Sequence, residues 1–174
     1  MLEPGLNPLS RRRLMIFASA AFVIAATAIV TAWGFQLIGG YMPCPLCLEQ
    51  RVPYYAGIPL TLLAVWLASV GRVTGARLLL FAFAVVMAYG LYLGTYQAGA
   101  EWGFWPGPTD CAGADTSTRD AGSLLQTLNQ TRVVSCTEPA LRVFGLSFAG
   151  WNALVSALLV LIGLVGALGG RERT

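Results

Sequence analysis

The chain contains four cysteines, whose thiol groups could act together in one reaction. Cys44 and Cys47 form a Cys-x-x-Cys pair in a short connection, whereas Cys111 and Cys136 lie far apart in the longest polar segment. A vicinal pair closes a small ring, so its disulfide can form and break without large chain movement, and a thiolate is the attacking group. The pattern favours electron transfer between dithiols, but it also fits two structural disulfides or a four-cysteine zinc site.

The composition of the chain indicates an integral membrane protein. Hydrophobic residues make up 56% and charged residues only 11% of it, whereas soluble domains average about 25% charged residues. About 20 apolar residues in a helix cross a bilayer core of about 30 Å. We therefore predict an all-α membrane protein, an antiparallel four-helix transmembrane bundle formed by residues 1–174 as one domain. The predicted spans are residues 14–38, 53–70, 78–98 and 143–169, and the loops on the cysteine side are residues 39–52 and 99–142.

The arginines divide unevenly between the two faces of this predicted bundle. All 11 basic residues are arginine, and seven of them lie at the end opposite the cysteines. These are Arg11, Arg12, Arg13, Arg72, Arg77, Arg171 and Arg173. Positively charged loops favour the cytoplasmic side, so we expect both termini in the cytoplasm. The cysteine-bearing loops then lie in the periplasm of a bacterial cell, where disulfides can persist.

The two cysteine pairs are expected to meet different reaction partners. The short connection keeps Cys44 and Cys47 at the membrane edge, where a lipid-soluble electron acceptor can reach them. The longer loop, with a short amphipathic helix predicted over residues 120–134, can meet a soluble protein. On the pattern alone, that helix could equally be a cap on the bundle. In the third span, the Gly90-x-x-x-Gly94 spacing would permit close helix packing.

Residues next to the Cys-x-x-Cys pair could tune its chemistry. Arg51 could stabilise a thiolate or donate to a quinone carbonyl, although arginines near helix ends are also ordinary interfacial residues. Pro53 could start the second helix after Arg51 or kink a helix that begins earlier. Glu49 and Gln50 are interpreted as solvated loop residues.

Together these features resemble the DsbB family of bacterial disulfide-bond formation proteins. The resemblance rests on four spans, Cys44-x-x-Cys47 followed by Arg51, Cys111 after a proline-rich aromatic stretch, and then Cys136. It implies a disulfide:quinone oxidoreductase of the bacterial inner membrane. Such a protein re-oxidises a periplasmic DsbA-like protein with a thioredoxin fold and passes the electrons to a membrane quinone, either ubiquinone or menaquinone. No metal site and no nucleic-acid partner is expected, and the chain is expected to act as a monomer.

The resemblance also implies a catalytic role for each cysteine. The reduced partner attacks the Cys111–Cys136 disulfide, at Cys111, and forms a mixed disulfide. Exchange with Cys44–Cys47 then moves the electrons to the membrane edge. Cys47 engages the quinone as a thiolate.

The predicted quinone-binding residues are Cys47, Arg51 and Gln97. Gln97 is included because the chain has no histidine. Any quinone contact that relatives make with a histidine must here be made by Gln97 or by water. Two alternatives stay open. One is a thiol:quinone protein similar to vitamin K epoxide reductase, and the other is a disulfide-stapled four-span scaffold without enzymatic activity.

Overall fold

Five helices and one small hairpin make up the described part of the chain. The structure is a computed structural model, and it describes residues 8–107, 139 and 141–169. Cys111, Cys136 and the predicted helix over residues 120–134 lie outside these residues. The elements are α1 (Pro8–Leu37), α2 (Pro45–Glu49), α3 (Val52–Ser69), α4 (Val73–Glu101), β1 (Arg142–Val143), β2 (Leu146–Ser147) and α5 (Phe148–Leu168).

Four helical segments are long and apolar enough to cross a membrane. They are Leu9–Leu37, Pro45–Ser69, Val73–Glu101 and Phe148–Leu168. This confirms the prediction of a mostly helical protein with four candidate spans. Helix α4 runs further than the predicted third span, from Val73 to Glu101, and so includes Arg77 and Glu101. A helix keeps its backbone hydrogen bonds while the charged side chains at its ends reach toward the interface, so charge does not mark its boundary.

Contacts at the two ends of α1 show that it runs antiparallel to α3. Near the beginning of α1, Arg11 Nε donates to the carbonyl of Ala68 at 3.1 Å, and its Nη2 donates to the carbonyl of Ser69. At the other end, Trp33 Nε1 donates to the hydroxyl of Tyr55 near the start of α3 at 2.9 Å. The arginine-rich start of α1 and the connection before α2 therefore lie at opposite ends of the bundle.

Small residues allow α4 to pack closely against its neighbours. A Cβ atom built on Gly94 would lie 3.0 Å from the backbone nitrogen of Ala153 in α5. A Cβ on Gly90 would lie 3.3 Å from Pro53 in α3. The predicted role of the Gly90-x-x-x-Gly94 spacing is thus visible as two close contacts, one to each neighbouring helix.

Two turns shape the end of the bundle that carries the cysteines. Helix α4 ends at Glu101, and Gly103 follows its C-cap Trp102 with a φ of +76°, which suits glycine. The next amide, Phe104 N, donates to Gly99 O at 2.9 Å. This is the pattern of a glycine-terminated helix. The β1–β2 hairpin turns at Phe144 and Gly145, both with positive φ. The Ser147 hydroxyl then caps α5 by accepting from the amide of Gly150 at 3.2 Å.

The close packing at Gly94 predicts a local cost for any side chain there. We expect Gly94→Ala to lower the free energy of unfolding by about 1–3 kcal/mol, because the methyl group meets backbone atoms of α5. The matched control is Gly34→Ala in α1, where an added Cβ meets nothing within 4 Å. Thermal unfolding in detergent micelles measures both variants. Equal melting temperatures for the two variants would contradict the packing interpretation.

Candidate functional site

A one-turn helix brings the sulfur atoms of Cys44 and Cys47 together. Cys44 is the N-cap of α2 and Pro45 stands at the start of that helix, a position that suits proline. Cys44 Sγ accepts from the amide of Cys47 at 3.1 Å. The two residues form a disulfide with a Cα–Cα distance of 5.0 Å. Helix α3 begins at Val52, directly after its N-cap Arg51, and Pro53 stands in its first turn, so the first of the two possibilities left by the sequence is the observed one.

The two sulfur-bearing residues differ in accessibility. Cys44 is 2% exposed and packs with Leu46 and Leu93, whereas Cys47 is partly exposed. Attack on Cys44 by another thiol therefore requires local opening of the connection before α2. Both residues line the adjoining cavity, and Cys47 is the more exposed of the two.

Gln97 lies under the disulfide and contacts both sulfur atoms. It is 4% exposed, and its Nε2 is 3.4 Å from Cys47 Sγ and 3.6 Å from Cys44 Sγ. The same nitrogen donates to Glu101 Oε1 at 3.3 Å. Its carbonyl oxygen accepts from Gln50 Nε2 at 2.5 Å. The sequence predicts a quinone contact for Gln97, which stays a prediction, and the structure places its amide against the disulfide.

A directed chain of hydrogen bonds leads to Gln97 from three other buried or half-buried side chains. Tyr54 OH donates to Asn152 Oδ1 at 2.7 Å, and Asn152 Nδ2 donates to Gln50 Oε1 at 2.7 Å. Tyr54 OH also lies 3.3 Å from Ser156 Oγ. Each amide in this chain donates onward toward Gln97, so the groups polarise one another in the same direction. This series of hydrogen bonds joins α3, α4 and α5 to the segment that carries the disulfide.

The sequence interpretation of Gln50 as a solvated loop residue is wrong. Gln50 is 5% exposed and hydrogen-bonded at both ends of its amide, whereas neighbouring Glu49 is exposed, as expected. The physical reason is that the backbone turns from α2 into α3 at this point. The turn directs the Gln50 side chain into the bundle, whereas the preceding Glu49 side chain points outward. The contributions of Tyr54 and Asn152 were also missed, because an isolated polar residue in an apolar span carries no motif that identifies its partner.

Arg51 faces α1 across the cavity beside the disulfide. Its Nη1 donates to Gln36 Oε1 at 2.7 Å. The guanidinium carbon lies 5.3 Å from the centroid of the Trp33 ring, which is a cation–π distance. These contacts hold a cationic fork at the cavity wall. A freely extended interfacial side chain would not be held in this way.

A cavity of about 590 Å³ connects the disulfide with the apolar space between α1 and α5. This volume lies in the range of small-molecule binding sites, about 300–1,000 Å³. Its polar end is formed by Cys44, Cys47, Gln36, Gln50, Arg51, Gln97 and Glu101. Apolar side chains line much of the remainder, including Val23, Ile24, Ala28, Phe35, Phe148 and Val155. The arrangement suits a ligand with a polar head and an apolar tail.

The structure thus brings four of the six predicted site residues together around one cavity. These are Cys44, Cys47, Arg51 and Gln97. Cys111 and Cys136 lie outside the described residues, and their roles stay predictions. A zinc site that uses Cys44 and Cys47 would require both as thiolates, which the observed disulfide excludes in this state.

Comparisons with known proteins agree on one family. The family model for disulfide bond formation protein DsbB matches residues 12–166. Disulfide bond formation protein B of Polaromonas sp. is 28% identical over 159 residues, 83% of this chain and 86% of that protein. The protein of the same name from Verminephrobacter eiseniae is 29% identical over 176 residues, 94% and 91% of the two chains.

An uncharacterized protein of Rickettsia prowazekii is 26% identical over 170 residues, 95% of each chain. No solved structure matches this chain. Since the family model covers most of the sequence and the relatives match over nearly their whole length, this multi-pass membrane chain belongs to the DsbB family of disulfide bond formation proteins.

Proposed function

We propose that this chain re-oxidises a periplasmic DsbA-like dithiol protein and passes the electrons, through two cysteine pairs, to a membrane quinone. The observation that carries the proposal is the Cys44–Cys47 disulfide at the polar end of an apolar cavity. Family membership supports a thiol oxidoreductase in membrane disulfide-bond formation. A disulfide that only stapled the fold would not need a ligand-sized cavity beside it.

The cavity suits a quinone at both ends. A bound quinone supplies a two-electron acceptor with two carbonyl oxygens and an apolar tail. Arg51 and Gln97 provide N–H groups at the polar end, and the side chains of α1 and α5 provide an apolar channel for the tail. Ubiquinone and menaquinone share these features, so the proposal covers both.

We assign Cys47 to the acceptor and Cys44 to the outer cysteine pair. Cys47 is partly exposed at the cavity, and Gln97 Nε2 at 3.4 Å can stabilise negative charge on its sulfur. Because the hydrogen-bond chain from Tyr54 ends at this amide, its N–H groups are already oriented toward the sulfur atoms. A thiolate of the outer pair attacks Cys44 Sγ, which breaks the Cys44–Cys47 bond, forms a new disulfide to Cys44 and leaves Cys47 as the thiolate beside the acceptor.

The outer steps of the proposal concern Cys111 and Cys136. The partner's thiolate attacks their disulfide at Cys111, and residues 120–134 steer the loop toward the bilayer. The protein resides in the bacterial inner membrane as a monomer, with both termini in the cytoplasm and the cysteines in the periplasm. The distribution of charge supports this orientation, since Arg11 contacts the end of α3 that lies away from the disulfide.

The cysteine roles predict a distinct loss for each variant. In anaerobic stopped-flow with reduced DsbA-like protein and a short-chain quinone, we expect Cys44→Ser, Cys47→Ser and Cys111→Ser each to abolish quinone reduction. With a chemical dithiol as reductant, Cys111→Ser should retain quinone reduction, because the dithiol reduces Cys44–Cys47 directly. The non-enzymatic scaffold alternative predicts no quinone reduction even by the parent protein, and that result would overturn the proposal.

The position of Arg51 at the cavity wall predicts that its substitution weakens quinone binding. Arg51→Lys removes the planar fork and its stacking on Trp33, so we expect the KM for quinone to rise about tenfold, a loss typical of one charge-assisted hydrogen bond. The KM for the protein dithiol should change little. Arg72→Lys is the matched control, because Arg72 is exposed at the opposite end of the bundle. Equal quinone KM values in the two variants would refute the role of Arg51.

A further inference from the structure

We propose that Glu101 is the group that takes a proton from the Cys44–Cys47 dithiol and gives it to a quinone oxygen in the cavity. This inference deepens the proposed function and rests on it. It assigns proton transfer to a residue at the end of α4 that the sequence placed in a polar loop.

The position of Glu101 is the first support for this role. Its carboxyl group lines the same cavity as Cys47 and Arg51. Glu101 Oε1 accepts from Gln97 Nε2 at 3.3 Å, and that nitrogen lies 3.4 Å from Cys47 Sγ. One amide group therefore separates the carboxyl from the reactive sulfur.

The second support is an unsatisfied oxygen atom. Glu101 Oε2 is buried and has no hydrogen-bond partner among the described residues. A buried carboxyl oxygen without a partner is costly, so such an atom in a folded protein needs an explanation. Either a proton on this oxygen or a hydroxyl group of a reduced ligand in the cavity would remove the cost. The atom is thus suited to alternate between these two partners during turnover.

The surrounding groups leave few other candidates for proton transfer. The chain has no histidine, and Glu101 is the one carboxyl group among the described residues that line the cavity. Arg51 lines it as well, but a guanidinium group is a hydrogen-bond donor with no acceptor atom. The hydroxyl of Tyr54 is engaged with Asn152 and Ser156.

Two side chains from the β1–β2 hairpin also lie near Glu101. The Arg142 guanidinium in β1 and the Ser147 hydroxyl at the start of α5 are the other side chains that face the carboxyl group of Glu101. Glu49, the nearest acid along the chain to Cys47 in sequence, is exposed and has no place in the cavity lining.

The proposed step balances in protons and electrons. Oxidation of the Cys44–Cys47 dithiol forms one S–S bond and releases two electrons and two protons. Both electrons pass to the quinone, which needs one proton on each of its two oxygens. Glu101 accepts one thiol proton and delivers it to the nearer oxygen, while the second thiol proton leaves to water and a water proton reaches the other oxygen.

The test compares Glu101→Gln with Glu49→Gln as the matched control and Glu101→Asp as a variant that retains the acid. The first measurement uses the quinone-free protein. Infrared difference spectra recorded as a chemical dithiol reduces the disulfide should show a carboxylate band lost and a protonated-carboxyl band gained, both absent in Glu101→Gln and retained in Glu49→Gln. A purely structural Glu101 predicts no such exchange of bands in the parent, and that result would overturn the proton role.

The second measurement follows quinone reduction by the pre-reduced protein in a single turnover. We expect Glu101→Gln to slow this step about a hundredfold, the usual size of a lost acid–base group. Glu101→Asp should recover part of the rate, and the dissociation constant for quinone should stay within about twofold. A parent that reduces quinone no faster than Glu101→Gln refutes the proton role alone. A parent that reduces no quinone refutes the proposed function and this inference with it.

Discussion

The hydrogen bonds of Gln97 are the interaction on which the site depends. Its amide holds the two sulfur atoms, the carboxyl of Glu101 and the amide of Gln50 in one arrangement at the end of α4. In an apolar surrounding, such groups are tolerated only when their partners are also buried, and here α3 and α5 supply those partners through Tyr54 and Asn152. The short connection that carries the disulfide is therefore fixed to three helices.

The bundle combines tight packing on one side with open space on the other. Helix α4 approaches α5 closely at Gly94 and Ala153, where no side chain separates the backbones. Between α1 and α5, larger side chains such as Val23 and Val155 instead line a cavity that extends to Cys47. Close packing of α3, α4 and α5 holds the disulfide and its hydrogen-bond partners in position, and the space beside α1 is large enough for a small molecule.

Hydropathy and cysteine spacing were sufficient to predict four apolar helices and a close pair formed by Cys44 and Cys47 in the connection after the first of them. They did not predict which polar residues face inward, because composition does not record the phase of a short helix. Glu49 and Gln50 are adjacent, yet one is exposed and the other buried, and the difference arises where Pro45 and Pro53 set the starts of α2 and α3. Glu101 was assigned to a loop because a charged residue was taken to end a span, although the helical backbone continues to it.

The central claim is that one cavity holds both the disulfide and its electron acceptor. The most direct test is to irradiate the protein with a photoreactive short-chain quinone and to map the labelled peptides by mass spectrometry. We expect labelling of α1 between Val23 and Gln36 and of α5 near Val155, with excess unlabelled quinone preventing it. Labelling confined to outward-facing residues of α3 and α4, such as Trp66 and Phe81, would contradict the account.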